Sequence, residues 1–278
     1  MYPPMTRYLR LLPKALCALL TISIAPTCVD AQTMPPDVVK AELRPGWRTD
    51  QGTQIAALHL TLAPGWKTYW RSPGDAGIPP EFDWRASEGV SDVSYFWPRP
   101  QVFDLNGMRT IAYKNELVLP IEFKLAAPDG VAHVVGKIDI GVCDEICVPV
   151  SLKVVADLTA GARNDPLIRA ALDDLPGKAS DAGVGKPRCK TEPTRDGLRL
   201  TTSISYKAAR TGDFAVIELP ERPVWTSPVE TTAGGGQLVQ VTDMVPADAS
   251  PFVLNRAGIR TTIFMVSGDV IEVMGCTG

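Results

Sequence analysis

Two runs of alternating residues meet at a pair of cysteines, and that junction restricts the possible folds more than any other stretch. The segment from Ile138 to Val150 reads IDIGVCDEICVPV. On its N-terminal side Ala132, Val134, Ile138, Ile140 and Val142 hold even positions, while His133, Lys137 and Asp139 hold odd ones. On its C-terminal side Val148, Val150, Leu152 and Val154 are even, and Ser151 and Lys153 are odd. A strand presents successive side chains to opposite faces, so both runs are expected to bury the even face and wet the odd one. Asp144-Glu145-Ile146 then reads as a three-residue hairpin loop, with Cys143 opposite Cys147 on the outer, odd face. Opposed residues lie roughly 4.5–5.5 Å apart at Cα, within reach of a disulfide.

Such a bond does little as a staple. On the chain-entropy model, closing the loop from Cys143 to Cys147 contributes about 2 kcal/mol, against about 4.6 kcal/mol for the loop from Cys189 to Cys276. The second pair therefore reads as structural and the first as available from outside.

With 278 residues, 45% of them hydrophobic, the chain is long enough for two domains with separate cores. A formal charge of −3 without any basic block argues against a nucleic-acid partner. Residues 1–31 read as a secretory signal: Arg7, Arg10 and Lys14 precede the apolar stretch Ala15 to Ala25, and Val29-Asp30-Ala31 fits a small-residue cleavage site. Its loss would remove those three bases and Asp30, taking the charge from −3 to −5, and would remove Cys17 and Cys28. Four cysteines then remain, an even number suited to an oxidising compartment. No later segment has 18 uninterrupted apolar residues, so the mature chain is expected to be soluble.

From Lys40 to Leu158, short alternating runs separated by turn residues read as a β-sandwich. Leu58, Leu60 and Leu62 form one inward face, and Leu117, Leu119, Ile121, Phe123 and Leu125 another. Between Phe96 and Met108 runs a longer connection, WPRPQVFDLNG, with two prolines, an Asn-Gly turn and one large apolar residue, Phe103, without alternation around it. Asp165 and Pro166 open a short helix through Leu175, stopped by Pro176-Gly177, and KASDAGVGK reads as a linker. From Pro187 onward the pattern is again β, with Cys189 and Cys276 at its two ends. The expected organisation is all-β: a first sandwich at 32–160, helix and linker at 161–186, and a second sandwich at 187–278.

His59 and His133 both fall on polar strand faces, where a solvated histidine is the ordinary outcome. A histidine zinc site or a Ser-His-Asp triad is not expected, and no G-x-S-x-G, H-E-x-x-H or phosphate loop occurs. No resident metal or cofactor is expected. Trp47, Trp66, Trp70, Trp84 and Trp97 could line a sugar site, but in a sandwich they more often fill the core.

Reactive cysteines usually have a thiol pKa lowered by a helix N-terminus or a nearby cation. Neither is evident around Cys143 and Cys147, and Asp144 and Glu145 disfavour a thiolate. The pair suits exchange inside a docked complex, where the partner supplies the thiolate. On spacing alone a structural bridge stands slightly ahead of a redox one.

The segment Tyr95 to Leu158 resembles the N-terminal periplasmic domain of the DsbD and ScsB type of thiol-disulfide transporters. The matching features are FWPRPQVFDLNGM, IAYKNELVLPIEF and VCDEICVP, with Gly65-Trp66-Lys67-Thr68-Tyr69-Trp70 upstream. The resemblance implies an immunoglobulin-like fold and a cysteine pair that relays electrons between a membrane domain and periplasmic disulfide proteins. It implies that Phe103 caps the pair, that Tyr69 sits near it, that Cys147 forms the mixed disulfide and that Cys143 resolves it. Thioredoxin-like or disulfide-isomerase proteins are the implied partners. Two features depart from the pattern. DsbD itself has a longer spacer between its cysteines, and this sequence lacks membrane helices and a terminal thioredoxin domain, so a separate membrane protein would have to be the electron donor. Two other classes stay open: copper handling by the reduced pair with a soft sulfur such as that of Met108, and a binding module with two inert disulfides. Cross-pairing of the four cysteines also stays open.

Overall fold

Alternation becomes sheet wherever the apolar face finds cover, and most of the alternating runs do so. The computed structural model describes residues 38–105, 107–127, 130–159, 164–221, 224–246 and 252–278. The stretch 1–31, read above as a secretory signal, lies outside the described residues with Cys17 and Cys28. In the first half the strands are β1 (Val39–Arg48), β2 (Gln54–Leu62), β3 (Lys67–Gly74), β4 (Glu81–Asp83) and β5 (Val90–Tyr95). They continue as β6 (Gln101–Leu105), β7 (Met108–Lys114), β8 (Glu116–Leu125), β9 (Ala132–Cys143) and β10 (Cys147–Leu158). One sheet has the order β1-β2-β8-β5; the other runs β10-β9-β3-β7-β6, with β4 on β9. Leu58, Leu60, Leu119, Ile121 and Phe123 from the first sheet meet Trp70, Val134, Ile138 and Val142 from the second, all of them almost wholly buried.

Helix α1 (Pro166–Asp173) starts where the sequence places it, with Asp165 as cap accepting from the backbone N–H of Leu167 at 2.9 Å. Its buried Ile168 packs on Ile55 and Ala57, on the outer face of β2. That second cover is why Gln54 to Leu58 are buried without interruption, where alternation alone predicts every other residue.

The C-terminal half adds β11 (Gly177–Lys178), β12 (Arg188–Pro193), β13 (Leu198–Ser205) and β14 (Phe214–Glu218). After these come β15 (Val224–Gly234), β16 (Gln237–Pro246), β17 (Arg260–Phe264) and β18 (Val270–Met274). They form the sheets β12-β13-β16-β15 and β11-β18-β17-β14. The segment read as a linker begins as the parallel strand β11 on β18, and Val184 within it is buried. The β11-β18-β17-β14 sheet is covered on both faces. Ala215, Ile217, Ile263, Ile271 and Val273 belong to the C-terminal core, whereas Phe214, Phe264 and Val270 complete the first one. The described residues fall in one compact unit, all-β apart from α1 and a 3-10 turn, with an architecture consistent with an immunoglobulin-like fold. Trp70 and Trp97 are core residues, and Trp47, Trp66 and Trp84 pack against the cores.

Candidate functional site

Cys143 is the last residue of β9 and Cys147 the first of β10, and the two are partners in register. Their Cα atoms are 4.2 Å apart and the sulfurs are bonded. The hairpin expected from parity is therefore present, with Asp144 N–H donating to the Ile146 carbonyl at 3.2 Å across its loop. Accessibility differs from the expectation. Cys147 is exposed, but Cys143 is only 3% accessible. The physical reason is lateral and vertical cover. β10 is the last strand of its sheet, whereas β9 is flanked on its other side by β3, with Lys67 opposite Cys143. Above Cys143 lies a small apolar cluster of Tyr69, Ala112, Ile78 and Phe103, so the odd face is dry at this one point.

Gly141 makes that cover possible. A Cβ at Gly141 would lie 2.7 Å from Ile78 Cβ and 3.1 Å from the Tyr69 ring, so any side chain here would displace the cover. Tyr69, on β3, reaches across the gap and donates its single O–H to the disulfide, with Oη 2.7 Å from Cys143 Sγ and 3.0 Å from Cys147 Sγ. Burial pushes its phenol above the ordinary value, so the hydroxyl keeps its proton. Phe103, expected in an irregular loop, instead lies on β6, hairpinned to β7 and paired with Thr110. Only two residues separate the last pair, Leu105 and Met108, a connection short enough to propagate the ladder. Phe103 is half-buried and packs against the cluster of Tyr69, Ala112 and Cys143.

Ile78, Ala112, Gly141 and Lys67 at the site were not foreseen from the sequence. Lys67 is the cross-strand neighbour of Cys143, and its ammonium lies 5.0 Å from the centroid of the Phe103 ring. A cationic residue is thus paired across the strands with Cys143. The available signal was that Lys67 and Tyr69 are two apart on one strand and share a face. The start of this strand is fixed by Asn115, in the left-handed region at φ 68°, whose Oδ1 accepts from Gly65 N–H at 2.8 Å.

The other candidates fall elsewhere. Cys189 and Cys276 are bonded to each other, both buried, with Cα atoms 5.8 Å apart, and they join β12 to the end of the chain. Met108 is 50% exposed and is not among the residues packed on Cys143. Among the described residues no three or more His, Cys, Asp or Glu gather as a metal site, and no helix is long and apolar enough to cross a membrane. His59 is not solvated but sits between Glu42 and Glu116, at 3.0 and 2.7 Å, and His133 pairs with Asp157 at 2.6 Å.

The disulfide, its buried and exposed halves and its aromatic cover all lie between β1 and β10. Residues 31–159 match the family model for the N-terminal part of the thiol:disulfide interchange protein DsbD. Residues 31–159 are a DsbD N-terminal domain. No curated protein matches the chain. Among solved structures, the N-terminal periplasmic domain of ScsB from Proteus mirabilis superposes with a TM-score of 0.56 at 23% identity. That match covers 88% of this chain and 97% of the ScsB domain, so the likeness of fold extends beyond the DsbD N-terminal domain into the C-terminal sheets. A marsupial T cell receptor aligns over 84% of this chain and 98% of its own at 12% identity, but with a TM-score of only 0.22.

Proposed function

We propose that the protein is a periplasmic thiol-disulfide exchange protein, with Cys147 as the sulfur that meets partners and Cys143 as the one that leaves and resolves. The observation that carries the reading is the asymmetry of the bond: Cys147 is exposed, Cys143 is buried, and a protonated Tyr69 hydroxyl touches both sulfurs. A partner thiolate attacks Cys147 Sγ; the new S–S bond joins the partner to Cys147, and the electron pair of the broken bond leaves on Cys143. Tyr69 donates its hydrogen bond to that thiolate, and a leaving thiolate of lower basicity departs faster. The partner's second thiol then attacks its own sulfur in the mixed disulfide and releases Cys147. The partner ends oxidised and the pair reduced, and the same steps in reverse pass two electrons outward.

The DsbD N-terminal match and the export-like leader support a periplasmic setting. Thioredoxin-like or disulfide-isomerase proteins are the proposed partners. In this reading residues 32–160 carry the exchange, 161–186 connect, and 187–278 form a second domain held by Cys189–Cys276.

The test is to trap the intermediate. A thioredoxin-fold protein lacking its second cysteine, presented as an activated disulfide, should accumulate a mixed disulfide with the Cys143→Ser variant and none with Cys147→Ser. Undiminished trapping by Cys147→Ser would contradict the assignment.

A further inference from the structure

The cap over the disulfide is anchored from outside the DsbD N-terminal domain. β3 pairs with β7 as far as Tyr69 and Ala112, then the register breaks, and the next pair is Gly74 with Thr110. The residues between, Trp70 to Pro73, leave the ladder immediately after Tyr69. The C-terminal half takes them up. Trp70 is wholly buried and meets Phe264 edge-on, with ring centroids 5.6 Å apart. Arg71 donates from Nε and Nη2 to the Glu218 carboxylate at 3.0 to 3.1 Å, to Glu272 at 2.7 Å and to Thr262 Oγ1 at 3.2 Å. Its side chain is only 12% exposed, so this is a largely desolvated, multidentate pairing.

The capping hairpin is held in the same way. Thr110 is the cross-strand partner of Phe103, and the residue before it, Arg109, lays its guanidinium 3.8 Å from the centroid of the Phe214 ring. Phe214 stacks on Phe264 at 4.8 Å, and Phe264 meets Trp70. Arg109, Phe214, Phe264, Trp70 and Arg71 therefore form one continuous chain of contacts. It joins the strand that carries Tyr69 and the hairpin that carries Phe103 to a single C-terminal sheet. The two site strands are also tied to each other, by reciprocal 2.8 Å hydrogen bonds between Asp75 and the Arg109 backbone.

We propose that the C-terminal half is a clamp on the cap, with Arg71 and Arg109 as positioning residues that set how firmly Tyr69 and Phe103 close over Cys143–Cys147. The proposal rests on the exchange reading above and assigns the C-terminal half a part in it. An interface that only adds stability would not govern access of a small reductant to the folded protein's disulfide. A clamp does, because local opening of the cap precedes attack.

The experiment measures the rate at which dithiothreitol reduces Cys143–Cys147 in the full chain under native conditions, followed by alkylation and mass spectrometry. Arg109→Ala and, separately, Glu218→Gln should each speed reduction about fivefold, the effect of losing one partly desolvated contact. Phe103→Ala should also speed it, and adding Arg109→Ala to Phe103→Ala should bring no further gain, because the cap through which Arg109 acts is already open. Arg199→Ala, which breaks the Arg199–Asp243 pair in the β12-β13-β16-β15 sheet, should leave the rate unchanged. The clamp is overturned if Phe103→Ala accelerates reduction while neither Arg109→Ala nor Glu218→Gln does. Independent gains in the double variant, or equal acceleration by Arg199→Ala, would overturn it as well. If Phe103→Ala itself has no effect, the cap reading fails and the clamp with it, an outcome distinct from failure of mixed-disulfide trapping.

Discussion

A tyrosine lying across a disulfide can do one thing that a phenylalanine in its place could not: donate a hydrogen bond to the sulfur that departs. Tyr69→Phe keeps the ring that packs on Cys143 and removes only the hydroxyl 2.7 Å from its Sγ. A hydrogen bond to a charged group contributes about 1.5–3 kcal/mol, so exchange with a dithiol at neutral pH should slow by about 10- to 100-fold. Stopped-flow kinetics of both proteins would measure it. Burial raises the phenol, so the protonated donor is present at low and neutral pH and is lost only as pH climbs through the raised value. The ratio of the two rates should therefore stay constant through neutral pH and narrow only as pH climbs through that raised value. At this scale the sequence was partly legible. Odd parity put Cys143 and Cys147 opposite each other, but it also declared their face wet. Whether an outward residue is covered depends on segments distant in sequence, here Ile78 and Phe103, and local periodicity carries no information about them. Lys67 escaped for the same reason, since its proximity to Cys143 exists only through the β3–β9 pairing.

Among the elements, the helix was legible and its seat was not. Asp165-Pro166 is a local signal, whereas docking on the outer face of β2 appears only when Ile168 meets Ile55. Asp165 serves both functions, because its carboxylate caps the helix and pairs with Arg44, whose Nε donates to it at 2.9 Å. Burial raises the Asp165 carboxyl, but the Arg44 guanidinium and the Leu167 and Ile168 N–H groups outweigh it, and the net direction is downward. A carboxyl lowered on folding stabilises fully above its unfolded value, near pH 3.9, and the benefit is lost as pH falls through the folded value. Asp165→Ala should cost about 1–2 kcal/mol in urea unfolding at pH 7. Asp165→Asn, which can still cap, should be less stable than the parent at pH 7, and the gap should close at about pH 2. A gap independent of pH would contradict the assignment. The capping hairpin was the element read least well. Pro98 and Pro100 just before it and its lack of alternation suggested irregular chain, yet β6 pairs along β7 from Gln101 to Leu105, across a two-residue connection.

For the whole molecule, β content and the opposition of Cys143 to Cys147 followed from spacing, while the partner of Cys189 and the sharing of one sheet between two cores did not. Phe214, Phe264 and Val270 alternate like any strand residues, and nothing local reveals that both faces of their sheet are buried. The two disulfides should then behave differently on removal. Replacing Cys189 and Cys276 with alanine frees the long loop and should cost about 4–5 kcal/mol in denaturant unfolding. Replacing Cys143 and Cys147 should cost about 2 kcal/mol or less. In the proposed function Cys143–Cys147 is an exchange bond and Cys189–Cys276 a structural one. A glutathione redox titration of the intact protein, with each pair assigned by alkylation and mass spectrometry, tests it most directly. Cys143–Cys147 should open between about −180 and −270 mV while Cys189–Cys276 stays closed throughout that range. A Cys143–Cys147 bond still closed below about −300 mV, as inert bridges of exported proteins are, would contradict it.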